Sequence, residues 1–124
     1  LETPVMKHIL ITTIAALVLV VCVSRMQSPV GSIHKAAKIG NIRAVKQHLV
    51  AGVDVNDKDA NKMTALHWAA MKGQKKVVAL LIVEGANLNA KTSKNLTPLN
   101  LADNNFENEI AELLIANGAS EFVY

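Results

Sequence analysis

The sequence predicts an all-α fold, a short solenoid of three helix-pair repeats behind an apolar N-terminal helix. Three observations carry that prediction. Most of the chain repeats itself at an offset of 33 residues, apolar residues recur at i, i+3 and i+4 within the repeats, and an uncharged run reads ILITTIAALVLVVCV from Ile9 to Val23. The 124 residues leave room for about one domain. The organisation expected is an upstream remnant (1–5), a signal or anchor helix (6–24), a linker (25–30), three repeats (31–63, 64–96 and 97–120) and a short tail (121–124).

The N-terminal element comes first. Met6, Lys7 and His8 precede fifteen apolar or weakly polar residues. A positive start followed by 7–15 apolar residues is the layout of a secretory signal, whereas a spanning helix needs about 20. Leu19-Val20-Val21-Cys22 resembles the box that ends a bacterial lipoprotein signal, with Val21 where a small residue is expected, so Cys22 is the candidate lipidation site. An uncleaved helical anchor is the competing reading, with Cys22 then a small hydrophobe; no A-x-A site supports ordinary cleavage. Arg25, Lys35, Lys38 and Arg43 follow the run against Lys7 before it, and positive charge tends to stay cytoplasmic. Membrane association on the bacterial envelope or periplasmic side is the expectation, and a tether on the cytoplasmic side the alternative. One cysteine forms no internal disulfide and leaves the redox compartment undefined.

The repeats follow. Thr64-Ala65-Leu66-His67 recurs as Thr97-Pro98-Leu99-Asn100, and one period earlier stands Gly31-Ser32-Ile33-His34. Ala36-Ala37 aligns with Ala69-Ala70, Gly40 with Gly73, Gly52 with Gly85 and Asn56 with Asn89. Leu80, Leu81, Gly85 and Ala86 align with Leu113, Leu114, Gly118 and Ala119. Thr64 and Thr97 are placed to cap a first helix, and Pro98 fits its first position, where no N–H is needed. The small Ala69 and Ala70 admit close helix packing, and Gly73 permits a tight turn into the second helix. Val78, Leu81 and Ile82 then form one apolar face, as do Ile110, Leu113 and Leu114. Gly85 and Gly118 stand where a helix ends in the left-handed conformation.

On these residues, most fully on TALHWAAMKGQKKVVALLIVEGANLN from Thr64 to Asn89, the chain resembles the ankyrin repeat family over residues 31 to about 120. With its N-terminal segment it also looks like small bacterial ankyrin proteins that carry a lipoprotein-type signal. The resemblance implies a solenoid of three β-turn/helix-helix units that binds protein partners along a concave surface of turn tips and first helices. Carried over by position, that surface is Ala60, Asn61, Met63, Met71 and Lys72 in the second repeat and Ser93, Lys94, Leu96, Asn104 and Asn105 in the third, with Met63 beside Met71 as an exposed apolar centre. It also implies that the motif histidines His34 and His67 tie one turn to the next.

Departures from the pattern mark the ends. Gln47 and His48 stand where Leu80 and Leu81 do, which predicts an exposed outer surface on the first repeat, with His48 as a partly buried packing residue. Phe106 stands in the place of Gly73, so a different turn is expected there. Lys62 and Asn95 occupy the family's turn glycine, and lysine tolerates positive φ poorly, so the loop before Thr64 is either strained or of another type.

Composition excludes several functions. A net charge of +3, with one Trp, one Tyr and two Phe, gives no case for nucleic acid. His34 and His67 lack a third or fourth ligand of suitable type, so no metal site and no cofactor is expected. No nucleophile-base arrangement and no phosphate loop is present, which argues against an enzyme. Charge is polarised nonetheless: residues 31–96 hold eleven Lys or Arg against four Asp or Glu, while 97–124 hold five acidic residues and no Lys or Arg. An acidic protein partner would be steered to the first two repeats, and weak contact with anionic lipid is a rival use of the same patch. The chain is expected to be monomeric, with a structural spacer or self-association module as the alternative function.

Overall fold

A computed structural model of the chain describes residues 31–120. The expected N-terminal helix, Cys22, the linker and the tail therefore lie outside the described residues. Six helices alternate in length: α1 (Ile33–Ile39), α2 (Ile42–Val50), α3 (Ala65–Met71), α4 (Lys75–Val83), α5 (Pro98–Asn104) and α6 (Asn108–Ala116). Among the described residues there is no β-strand.

The first helix of each pair begins at a hydroxyl cap. Ser32, Thr64 and Thr97 accept the backbone N–H three residues on, at 3.2, 3.4 and 3.2 Å, and Pro98 takes the first helical position after Thr97. Each such cap is worth about 1 kcal/mol. After each first helix the same bond closes the turn: Asn41 N–H to Ala36 O, Gln74 N–H to Ala69 O and Glu107 N–H to Ala102 O, at 2.9, 2.9 and 2.8 Å.

The repeats stack in two layers. The inner helices α1, α3 and α5 pack in a row, and the outer helices α2, α4 and α6 form a second row behind them. Contact along the inner row is the closer, because Ala36, Ala37, Ala69, Ala70 and Ala102 keep its side chains short. A stack tighter on one layer bends, with the tight layer on the concave side. One continuous core runs between the layers, with Leu66, Val78, Leu81 and Leu114 fully buried. No repeat closes this core alone, which is why the units stand or fall together.

Two expectations about the ends are corrected. The turn at Phe106 does not differ from its relatives: Phe106 adopts φ 60°, close to the φ 79° of Gly40 and 73° of Gly73, and keeps the closing bond. The helix ends dictate the turn, and phenylalanine is forced into a left-handed backbone to serve it. The first repeat's outer surface is also only half as expected. Gln47 is exposed, but His48 is buried at 6%, in the core position that Leu81 and Leu114 fill in their repeats.

The loop before Thr64 is the strained alternative and not another turn type. Lys62 has φ 57° and Asn95 has φ 60°, and each donates its N–H to the residue three back, Asp59 O or Thr92 O, at 2.9 Å. Asp59 and Thr92 enforce this shape. Asp59 Oδ1 accepts the N–H groups of Asn61 and Met63, and Thr92 Oγ1 accepts those of Lys94 and Leu96.

Candidate functional site

Three hydrogen-bonded seams hold adjacent turns in register. At the tips, Ser93 N–H donates to Asn61 O at 3.0 Å. Behind the outer helices, Asn56 Oδ1 accepts Asn87 N–H at 2.7 Å, and one period later Asn89 Oδ1 accepts Ser120 N–H at 2.9 Å. At the opposite edge, Gln74 lies over Gly40 and donates to Lys38 O at 3.2 Å, while the Glu107 carboxylate lies over Gly73, where an added Cβ would meet it at 2.6 Å. Both glycines therefore serve positive φ and close approach together.

His67 joins the second repeat to the third. Its Nδ1 accepts the Thr64 N–H at 2.9 Å and the Thr64 hydroxyl at 2.8 Å, so the proton resides on Nε2. That Nε2–H points at Ala90 O and Leu96 O, 2.9 and 3.1 Å away. Burial lowers the His67 pKa against the opposing pull of those carbonyls, and the ring is neutral. His34 makes the cross-turn bond at the first junction, its Nε2 lying 2.8 Å from Asp57 O. Asn100 reproduces the near half: its Oδ1 accepts the Thr97 N–H and hydroxyl, both at 2.9 Å.

His48 has no such partner. Its Nε2 is buried and unbonded among the described residues, and burial, with His34 second, lowers its pKa. Among the described residues no three metal-ligating side chains gather.

These seams present one continuous surface of turn tips and inner helices. Of the residues expected there, Ala60, Asn61, Lys72, Ser93, Lys94, Asn104 and Asn105 are exposed, and Met71 and Leu96 are half-buried. Met63 is the correction: at 9% exposure it packs beneath the turn, because its N–H and carbonyl both bond Asp59 and draw it inward. Asn105 is exposed yet committed, its amide donating to Leu101 O at 2.7 Å.

The residue that position-matching missed is Trp68. It is half-buried on the inner face, its indole N–H donates to Asp59 Oδ2 at 2.8 Å, and the Lys38 ammonium stands 5.1 Å from the ring centroid. Burial would raise the Asp59 carboxyl, but hydrogen bonds from Met63, Trp68 and Asn61 outweigh it and hold the carboxyl below its ordinary value. A signal existed: Trp68 follows the motif histidine, at the freely variable position of the T-P-L-H-x-A core. Behind this surface, on the outer helices, a shallow cleft of about 320 Å³ is lined by Lys46, Leu49, Val50, Leu80 and Glu84.

A stack of helix pairs held by repeated turn seams, with side chains that differ from repeat to repeat along its inner face, defines a helical repeat scaffold. The family model for ankyrin repeats matches residues 33–122 in three copies, and the chain belongs to the ankyrin repeat family. Its members are generally protein-protein interaction modules and typically non-catalytic. No curated protein matches the sequence. No helix among the described residues is long and apolar enough to cross a membrane.

Proposed function

We propose that the chain is a non-catalytic protein-binding module, tethered to or exported across the membrane by its N-terminal segment, whose partner docks on the turn tips and inner helices. The supporting observation is the pre-set inner surface. The backbone at tip residues Asn61, Lys62, Ser93 and Lys94 is held by bonded turns, and Trp68 is braced from two sides, so little loop ordering remains to be done on docking. Lys38 stands over the Trp68 ring, and Lys35, Lys62, Lys72 and Lys94, carried by the inner helices, their ends and the turn tips, are exposed, which favours an acidic partner. The tether rests on the apolar run from Ile9 to Val23, with Cys22 as the lipidation candidate on the envelope side.

Photo-crosslinkers placed at Asn61, Lys72 or Ser93 of the full chain in its native cell are expected to trap the same partner reproducibly, and those at Val50 or Val83 on the outer helices are not. Equal trapping from both faces, or none from the inner one, supports the spacer alternative instead. Intact-mass spectrometry of the isolated protein tests the tether: an unmodified Cys22 on an uncleaved chain removes lipidation.

A further inference from the structure

The outer helices carry a graded face that the core does not use. Arg43, Lys46 and Val50 are exposed on α2 at i, i+3 and i+7, so they share one side of that helix. One period on, α4 has Lys76, Ala79 and Val83 at the same places, and α6 has Glu109, Glu112 and Ala116. All are exposed, so packing within the stack does not select them. From the first repeat to the third, the leading position turns from cation to carboxylate and the last from valine to alanine.

Val50 and Val83 are 89% and 80% exposed at equivalent ends of neighbouring outer helices. The shallow cleft at α2 and α4 extends this apolar surface with Leu49 and Leu80, and Lys46 and Glu84 complete its lining. Short aliphatic side chains beside cations, with no aromatic anchor among them, do not form the deep pocket that a folded partner fills. They suit a partner without fixed shape that presents negative charge outside and hydrocarbon beneath, which is the surface of an anionic bilayer.

The chain itself brings such a surface close. Nine residues, 24–32, separate the apolar run that ends at Val23 from the first residue of α1, a reach of at most about 30 Å. A first repeat held that near a membrane meets it at high effective concentration, so contacts that are individually weak suffice.

We propose that the outer face of the first two repeats rests on an anionic bilayer. Val50 and Val83 enter the interface, Arg43, Lys46 and Lys76 meet the lipid headgroups, and Glu109 and Glu112 keep the third repeat off the surface. The inner row, on the opposite side of the stack, then faces the aqueous phase, where its protein partner docks. The proposal rests on the N-terminal segment being a membrane tether and adds how the repeats sit on the membrane that the tether reaches.

The test uses the full-length protein reconstituted into vesicles containing phosphatidylserine, with a photo-crosslinking residue at Val50 or Val83, or at Asn61 or Ser93 on the turn tips. Lipid adducts are expected from the two valine positions and not from the tips, and raised salt or vesicles of phosphatidylcholine alone are expected to reduce them. Arg43→Glu, Lys46→Glu and Lys76→Glu together, all at exposed positions that the core does not need, are expected to lower the adduct yield at least about tenfold. Equal adducts from both faces or from both kinds of vesicle overturn an oriented anionic contact, and so does an unchanged yield in the triple variant. Protein that enters the vesicles yet gives no adduct at either valine overturns the contact and leaves the tether standing; protein that does not enter them removes the tether and the proposal with it. Reproducible trapping of a protein from Val50 in the native cell overturns it in favour of a second protein surface. Crosslinks from Asn61, Lys72 and Ser93 in the cell decide the protein-binding reading separately.

Discussion

The second and third repeats perform the same fold with different chemistry. In the second, His67 caps its own helix and reaches across to Ala90 and Leu96 of the next turn; in the third, the shorter Asn100 performs the cap. Ala70 is fully buried against its neighbour, while Asp103, one period on, is exposed. Gly73 makes the helix turn without strain, and Phe106 makes it with strain. The backbone is thus conserved where the side chains are not. Residues facing another repeat are constrained by it, and residues facing solvent are released to charge, strain and recognition.

The most severe break in that comparison is the removal of a core leucine. Leu81→Ala, in the repeat flanked on both sides, is expected to cost about 2–5 kcal/mol, and Leu114→Ala, flanked on one side among the described residues, less. Chemical denaturation of the two variants measures the difference, and an unchanged midpoint for Leu81→Ala would contradict the shared core.

Converting one repeat's junction into the other's gives a middle-sized effect. His67→Asn keeps the Thr64 cap but leaves Ala90 O and Leu96 O without their donor, for a loss of about 1–3 kcal/mol. This variant also carries a pH signature. His67 and His48 are both held below the ordinary histidine value of about 6.5, so the unfolded chain takes up protons first as pH falls. Stability is complete above that value and declines as pH drops toward the folded pKa values. His67→Asn removes one of the two contributions, and its unfolding free energy is expected to fall less steeply between pH 7 and 5 than that of wild type.

The finest comparison is among the three left-handed residues that are not glycine. Replacing Phe106 or Lys62 with glycine is expected to raise stability by about 1 kcal/mol, while Asn95→Gly gains only a few tenths, because asparagine tolerates that backbone. Thermal melts that rank Asn95→Gly first would show that the backbone at Phe106 and Lys62 is relaxed.

Much of this was legible in the residues. The offset of 33, the hydroxyl caps at Thr64 and Thr97 and the faces at Val78–Leu81 and Ile110–Leu114 depend on local spacing, and each forms as read. Misreadings arose where a residue departed from the pattern and its neighbours overruled it. The position of Gln47 and His48 was expected to be an exposed outer surface with His48 only partly buried, but the helix register carries His48 fully into the core. Phe106 was expected to change its turn, but the two helices it joins are fixed by packing on either side. Met63 was expected in the open, but Asp59 draws its backbone inward. Trp68 was legible as a variable position, yet its bracing by Asp59 and Lys38 joins residues 9 and 30 apart in sequence.

By itself the sequence determined the repeat, its period, its caps and the end-to-end polarity of charge, because these follow from composition and short-range spacing along one chain. Only the tertiary structure decided which side chains face water, which lysine stands over the tryptophan and which turn carries strain. Those outcomes depend on where the adjacent repeat lies, and burial is a property of the pair.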